Sequence, residues 1–119
     1  LQLVRYFAES IDFIHDMNHL VDLEIIYARN LRALPPLRSL KQLELKNVGR
    51  DKFAYDSIPE SVEAIIIEAC APVHDWDFVR KINSLKRLVV FKTKCAAPSS
   101  AAKSALSLVP LRDLPRGVT

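Results

Sequence analysis

Leu40-Lys41-Gln42-Leu43-Glu44-Leu45-Lys46 reads L-x-x-L-x-L-x. Its central L-x-L alternates, and a period of two puts Leu43 and Leu45 on one side of an extended segment and Gln42, Glu44 and Lys46 on the other. Three more stretches fall into the same pattern, with Val or Ile standing for Leu. They are Leu20-Val21-Asp22-Leu23-Glu24-Ile25-Ile26, Val62-Glu63-Ala64-Ile65-Ile66-Ile67-Glu68 and Leu85-Lys86-Arg87-Leu88-Val89-Val90-Phe91. The starts at Leu20, Leu40, Val62 and Leu85 lie 20, 22 and 23 residues apart. Extending the template to its ninth position adds Ala28, Val48, Cys70 and Thr93. Over positions one, four, six and nine, fifteen of sixteen slots are apolar in a chain that is 50% hydrophobic. Self-similarity at such a period marks a stacked array of small units, none of which can bury its apolar side alone.

After two of the predicted strands, apolar residues recur at intervals of three: Ala28, Leu31 and Leu34, then Cys70, Val73, Trp76 and Val79. That spacing predicts a helical turn or a 3₁₀ segment folding back over the same core, with Trp76 packing it down. Pro35-Pro36 forbids a long helix in the first return. Residues 75–82 can form one, with Asp75 and Asp77 leading and Arg80 and Lys81 trailing, the order a helix dipole favours.

This pattern resembles the leucine-rich repeat family over residues 20–93. The resemblance implies an α/β solenoid with a short parallel sheet on its concave face, strands near 22–26, 42–46, 64–68 and 87–91, and helical, 3₁₀ or irregular returns. The family's ninth position is usually Asn or Cys, and only Cys70 matches, so a divergent and irregular array is expected. Residues 1–19 read as a degenerate preceding repeat or cap, with Leu1, Val4 and Tyr6 on the spacing and Ile11 and Ile14 behind them. Residues 96–119 read as a flexible tail rich in Ala, Ser and Pro, where Pro110 would interrupt a strand ladder. A start at Leu1 and no visible polar end cap lead us to expect a piece of a longer array.

The resemblance also implies a function: binding of another protein on the concave face. The outward columns are Asp22, Gln42, Ala64 and Arg87, then Glu24, Glu44, Ile66 and Val89, then Ile26, Lys46, Glu68 and Phe91. Of these, Asp22, Glu24, Ile26, Glu44, Lys46, Ile66, Glu68, Arg87, Val89 and Phe91 are the candidate partner contacts. The early strands offer an acidic patch of Asp22, Glu24 and Glu44, and the later ones an apolar patch of Ile66, Val89 and Phe91. A register slip of one residue would send all of them inward. Relatives include substrate receptors of ubiquitin ligases and immune receptors, and a purely structural stretch of a longer solenoid is the alternative.

Other classes find thinner support. With 17 Lys and Arg against 14 Asp and Glu the chain carries +3, and its basic residues are scattered, so no nucleic-acid partner is expected. Two glycines leave no room for a phosphate-cradling loop. No apolar run approaches the ~18 residues of a membrane-crossing helix. Two cysteines and no C-x-x-C mildly favour an intracellular setting. His15 and His19 would share one face of a helix, yet two ligands without a third make a weak metal site, and no cofactor is expected. Cys70, His74 and Asp75 could compose a small Cys/His enzyme, but Cys70 holds a core slot, where a thiol is inert. Asp75 and Asp77, two apart, would not face each other on a helix.

Overall fold

The computed structural model describes residues 1–95, so the predicted tail at 96–119 lies outside the described residues. Five strands, β1 (Gln2–Val4), β2 (Asp22–Ala28), β3 (Gln42–Val48), β4 (Ala64–Glu68) and β5 (Arg87–Phe91), form one sheet in chain order. Every pairing is parallel. Parallel neighbours need a crossover between them, and here the crossovers are loops carrying two 3₁₀ turns (Asp12–Ile14 and Tyr55–Ser57) and one helix, α1 (Asp77–Lys81).

The alternation read from the sequence decides which side is core. Leu23, Ile25, Leu43, Leu45, Ile65, Ile67, Leu88 and Val90 are buried and join the return-segment residues Leu31, Leu34, Leu37, Ile58, Val73, Trp76 and Val79 in one cluster. Burying each Leu or Ile side chain contributes roughly 1.5–3 kcal/mol. Ile11 and Ile14 close the core under β1 and β2. Phe53, Tyr55, Phe78 and Trp76 form a chain of ring contacts with centroids 5.2, 5.6 and 6.1 Å apart, which ties the second 3₁₀ turn to α1. The Tyr55 hydroxyl donates to the Ala71 carbonyl at 2.5 Å, so its one buried polar group is satisfied.

The same backbone device opens β3, β4 and β5. The Val21 carbonyl accepts from the N–H groups of Lys41 (2.8 Å) and Gln42 (3.0 Å). The Lys41 carbonyl accepts from Glu63 (2.7 Å) and Ala64 (3.1 Å), and the Glu63 carbonyl from Lys86 (2.8 Å) and Arg87 (3.1 Å). A second device closes each strand: Arg5, Tyr27, Asn47, Ala69 and Lys92 all have φ between 52° and 64°. Only Asn47 is a residue type that enters this left-handed region readily. The residue at that place breaks the inside–outside alternation, so the next side chain (Tyr6, Ala28, Val48, Cys70, Thr93) returns to the core side, and in β2 and β3 the pairing continues through Ala28 and Val48.

Two local expectations are corrected. The N-terminal stretch enters the sheet with Leu3 opposite Ile25 and Val4 opposite Ile26. The alternating pair is therefore Leu1 and Leu3, Tyr6 takes the ninth place, and Val4 points outward at 53% exposure. The L-x-x-L-x-L spacing fitted Leu1, Val4 and Tyr6 equally well, and only strand pairing separates the two registers. The helix expected over 75–82 is confined to Asp77–Lys81. The Asp75 carboxylate accepts from the Asp77 N–H at 3.0 Å, holding residue 75 in a turn ahead of the helix.

Candidate functional site

The outward columns are built by strand register. Asp22, Gln42, Ala64 and Arg87 are successive partners; so are Gln2, Glu24, Glu44, Ile66 and Val89; so are Val4, Ile26, Lys46, Glu68 and Phe91. All ten candidate contact residues therefore share one face of the sheet. No side chain at these positions is fully buried, whereas the opposite face is closed by the returns. Parallel sheets are ordinarily covered on both faces. Ile66, Val89 and Phe91 are half-buried against their neighbours, less open than free strand positions would be.

Stacking also sets the charge pattern. Glu24 and Glu44 are direct partners across β2 and β3 and share a hydrogen bond. That bond, with a second from the Gln2 amide at 2.5 Å, holds the Glu24 carboxyl below the usual range. The same bond to Glu24, and then desolvation, push the Glu44 carboxyl up. Lys46 Nζ lies 3.9 Å from Glu24. The acidic patch read from Asp22, Glu24 and Glu44 is thus partly neutralised from within. Below it, Glu63 is held between Lys86 (3.1 Å) and Lys41 (3.7 Å), and the Lys86 contact is the main cause of its lowered pKa.

Among the described residues Cys70, His74 and Asp75 share no hydrogen bond or ion pair. Cys70 Sγ donates to the carbonyls of Leu45 (3.2 Å) and Glu68 (3.3 Å), and burial pushes its thiol up to about 11. His74 is exposed on the loop after β4. Thr93, the one polar residue among the sixteen template slots, has a structural use: its hydroxyl accepts from the Cys70 N–H at 3.1 Å and donates to the Phe91 carbonyl at 3.1 Å. His15 bonds within its own turn, with Nδ1 2.8 Å from the Asp12 carbonyl and Nε2 2.9 Å from Asp16. The 3₁₀ turn ends before it, so His15 and His19 share no helix face. Among the described residues no group of three or more His, Cys, Asp or Glu side chains could hold a metal ion. Among them, too, no helix is long and apolar enough to cross a membrane.

Sequence reasoning missed the clefts at the carboxyl ends of the strands. A cleft of about 360 Å³ is lined by Phe7, Tyr27, Arg29, Asn30, Asn47 and Arg50. A groove of about 770 Å³ shares Arg29, Asn30 and Arg50 and runs on past Arg32, Lys52 and Phe53. Arg29 and Arg50 stand 21 residues apart, within the spacing of the strand starts, which is the signal that could have joined them. Comparison with known proteins found no matching family model, no matching curated protein and no matching solved structure.

Proposed function

We propose that this chain is a leucine-rich-repeat-type binding module that docks a partner protein on the open face of its parallel sheet. The observation that carries the reading is the alignment of the outward columns on a sheet face with no fully buried side chain. The apolar end of that face, Ile66, Val89 and Phe91, suits an apolar anchor of the partner, since such contacts carry most of the affinity in protein interfaces. The end with Asp22, Glu24 and Glu44 suits a basic segment and sets its orientation. The solenoid architecture and the absence of bond-making chemistry belong to this same reading.

The test is capture from extract of the source cells, with Val89→Asp/Phe91→Asp set against wild type and against Lys81→Gln on the return-segment layer. Circular dichroism first establishes that all three are folded. Loss of one partner in the double variant alone supports the reading. Identical capture by all three proteins removes the face as the site.

A second reading, a structural stretch of a longer stacked array, is favoured by the apolar groups exposed near β1: Leu1, Val4, Phe7, Phe13, Met17, Val21 and Tyr27. If it holds, Val4→Lys and Phe13→Lys raise solubility while Val89→Asp/Phe91→Asp changes no binding.

A further inference from the structure

We propose that the cleft at the carboxyl ends of β1, β2 and β3 binds a phosphate monoester carried on a planar aromatic group. Here three successive exits supply the walls: Phe7 after β1, Tyr27, Arg29 and Asn30 at and after β2, Asn47 and Arg50 at and after β3.

The chemistry of the lining selects the ligand. It holds two guanidinium groups, two carboxamides and two aromatic rings, and no carboxylate. Neither Arg29 nor Arg50 has an ion-pair partner among the described residues. Arg32 in the adjoining groove does, 3.6 Å from Glu9, and elsewhere Lys41, Lys46 and Lys86 each lie within 4 Å of a glutamate. Two unpaired guanidinium groups on one concave surface match a dianionic phosphate, which planar forks engage through paired hydrogen bonds. Asn30 is anchored through its amide nitrogen to the Phe7 carbonyl at 2.9 Å, so its side-chain position is fixed. Phe7 is 70% exposed and Tyr27 50% exposed at the same rim. Two open aromatic faces beside an anion site suit a ring attached to the phosphate better than a bare ion. The adjoining groove carries Glu9 and Asp51, which keeps the anion at the acid-free end.

The experiment is a titration of the full chain followed by amide NMR, with phenyl phosphate and inorganic phosphate as probes. Phenyl phosphate is expected to give saturable shifts around residues 27–30 and 47–50, binding about tenfold more tightly than inorganic phosphate. Arg29→Gln and Arg50→Gln are each expected to weaken it about tenfold, the loss of a charged hydrogen-bonding group. Phe7→Ala should erase the advantage of phenyl phosphate over the bare ion, and Arg32→Gln should leave both unchanged. The spectra themselves report whether each variant is folded. Absence of saturation at about 10 mM ligand overturns the proposal. So does a response that survives Arg29→Gln/Arg50→Gln, or equal affinity for the two probes. Phosphotyrosine and adenosine monophosphate then compete against phenyl phosphate. Displacement by either supports the site and tells whether an aryl or a nucleoside phosphate is its source, and displacement by neither overturns it.

Discussion

Glu24 stands directly opposite Glu44 across the β2–β3 pairing, and the two carboxyl groups share one hydrogen bond. A carboxyl raised in the folded state adds stability that is full below its unfolded pKa and is lost as pH rises through the folded value. A depressed one adds stability present above its unfolded pKa and lost as pH falls through the folded value. Glu44 is the first kind and Glu24 the second, so the pair is most favourable within the carboxyl range and loses stability on both sides of it. Glu44→Gln supplies a permanent donor to Glu24. Its Tm is expected to exceed that of wild type by roughly 1–4 °C near pH 7, with the gain gone near pH 4. Thermal melts across that interval check it, and a pH-independent difference would separate the effect from this pair.

The left-handed exits carry a cost that can be removed at one of them. Ala69 has φ 52°, and Ala69→Gly is expected to raise stability by about 0.5–1 kcal/mol because a Cβ is unfavourable there. Gly49 has φ 73°, and an added Cβ would come within 3.0 Å of Ala71 Cβ, 3.1 Å of the Lys52 carbonyl and 3.2 Å of Phe53 Cβ. Gly49→Ala should therefore lower stability by about 1–3 kcal/mol. Urea midpoints of the two variants should move in opposite directions.

Ile66 and Ile67 are neighbours in β4 and face opposite ways, Ile67 fully buried and Ile66 half-buried. Ile67→Ala should cost about 2–5 kcal/mol through the cavity it leaves. Ile66→Ala should cost under about 1 kcal/mol, as surface substitutions do. Equal losses in denaturant unfolding would contradict the register.

The Cys70 thiol, pushed up to about 11 from an ordinary 9.0, should react with iodoacetamide at pH 8 about 100-fold more slowly in the folded chain than after unfolding. Mass spectrometry of the alkylated peptide measures both rates. Rapid native labelling would reopen the nucleophile reading.

Much of the inner face could be read directly. Alternation at Leu43 and Leu45 or at Ile65 and Ile67 is a local property of extended chain, and the burden of burying apolar side chains then assigns the faces. The outward columns followed, since stacking units with the same strand template brings equivalent positions into line. The first strand was harder, because Leu1, Leu3, Val4 and Tyr6 satisfy two spacings and only hydrogen bonding to β2 chooses between them. His15 and His19 look paired in the chain, but a turn that ends at Ile14 parts them.

The sequence by itself determined the period, the core side of β2, β3, β4 and β5 and the parallel order of the strands, because these rest on contacts every unit repeats. Only the tertiary structure decided how charges and loops meet across units. It placed Glu44 on Glu24, Glu63 between Lys41 and Lys86, and Arg29 in one cleft with Arg50. Those residues lie about a full unit apart along the chain, and no local preference encodes what stacking brings side by side.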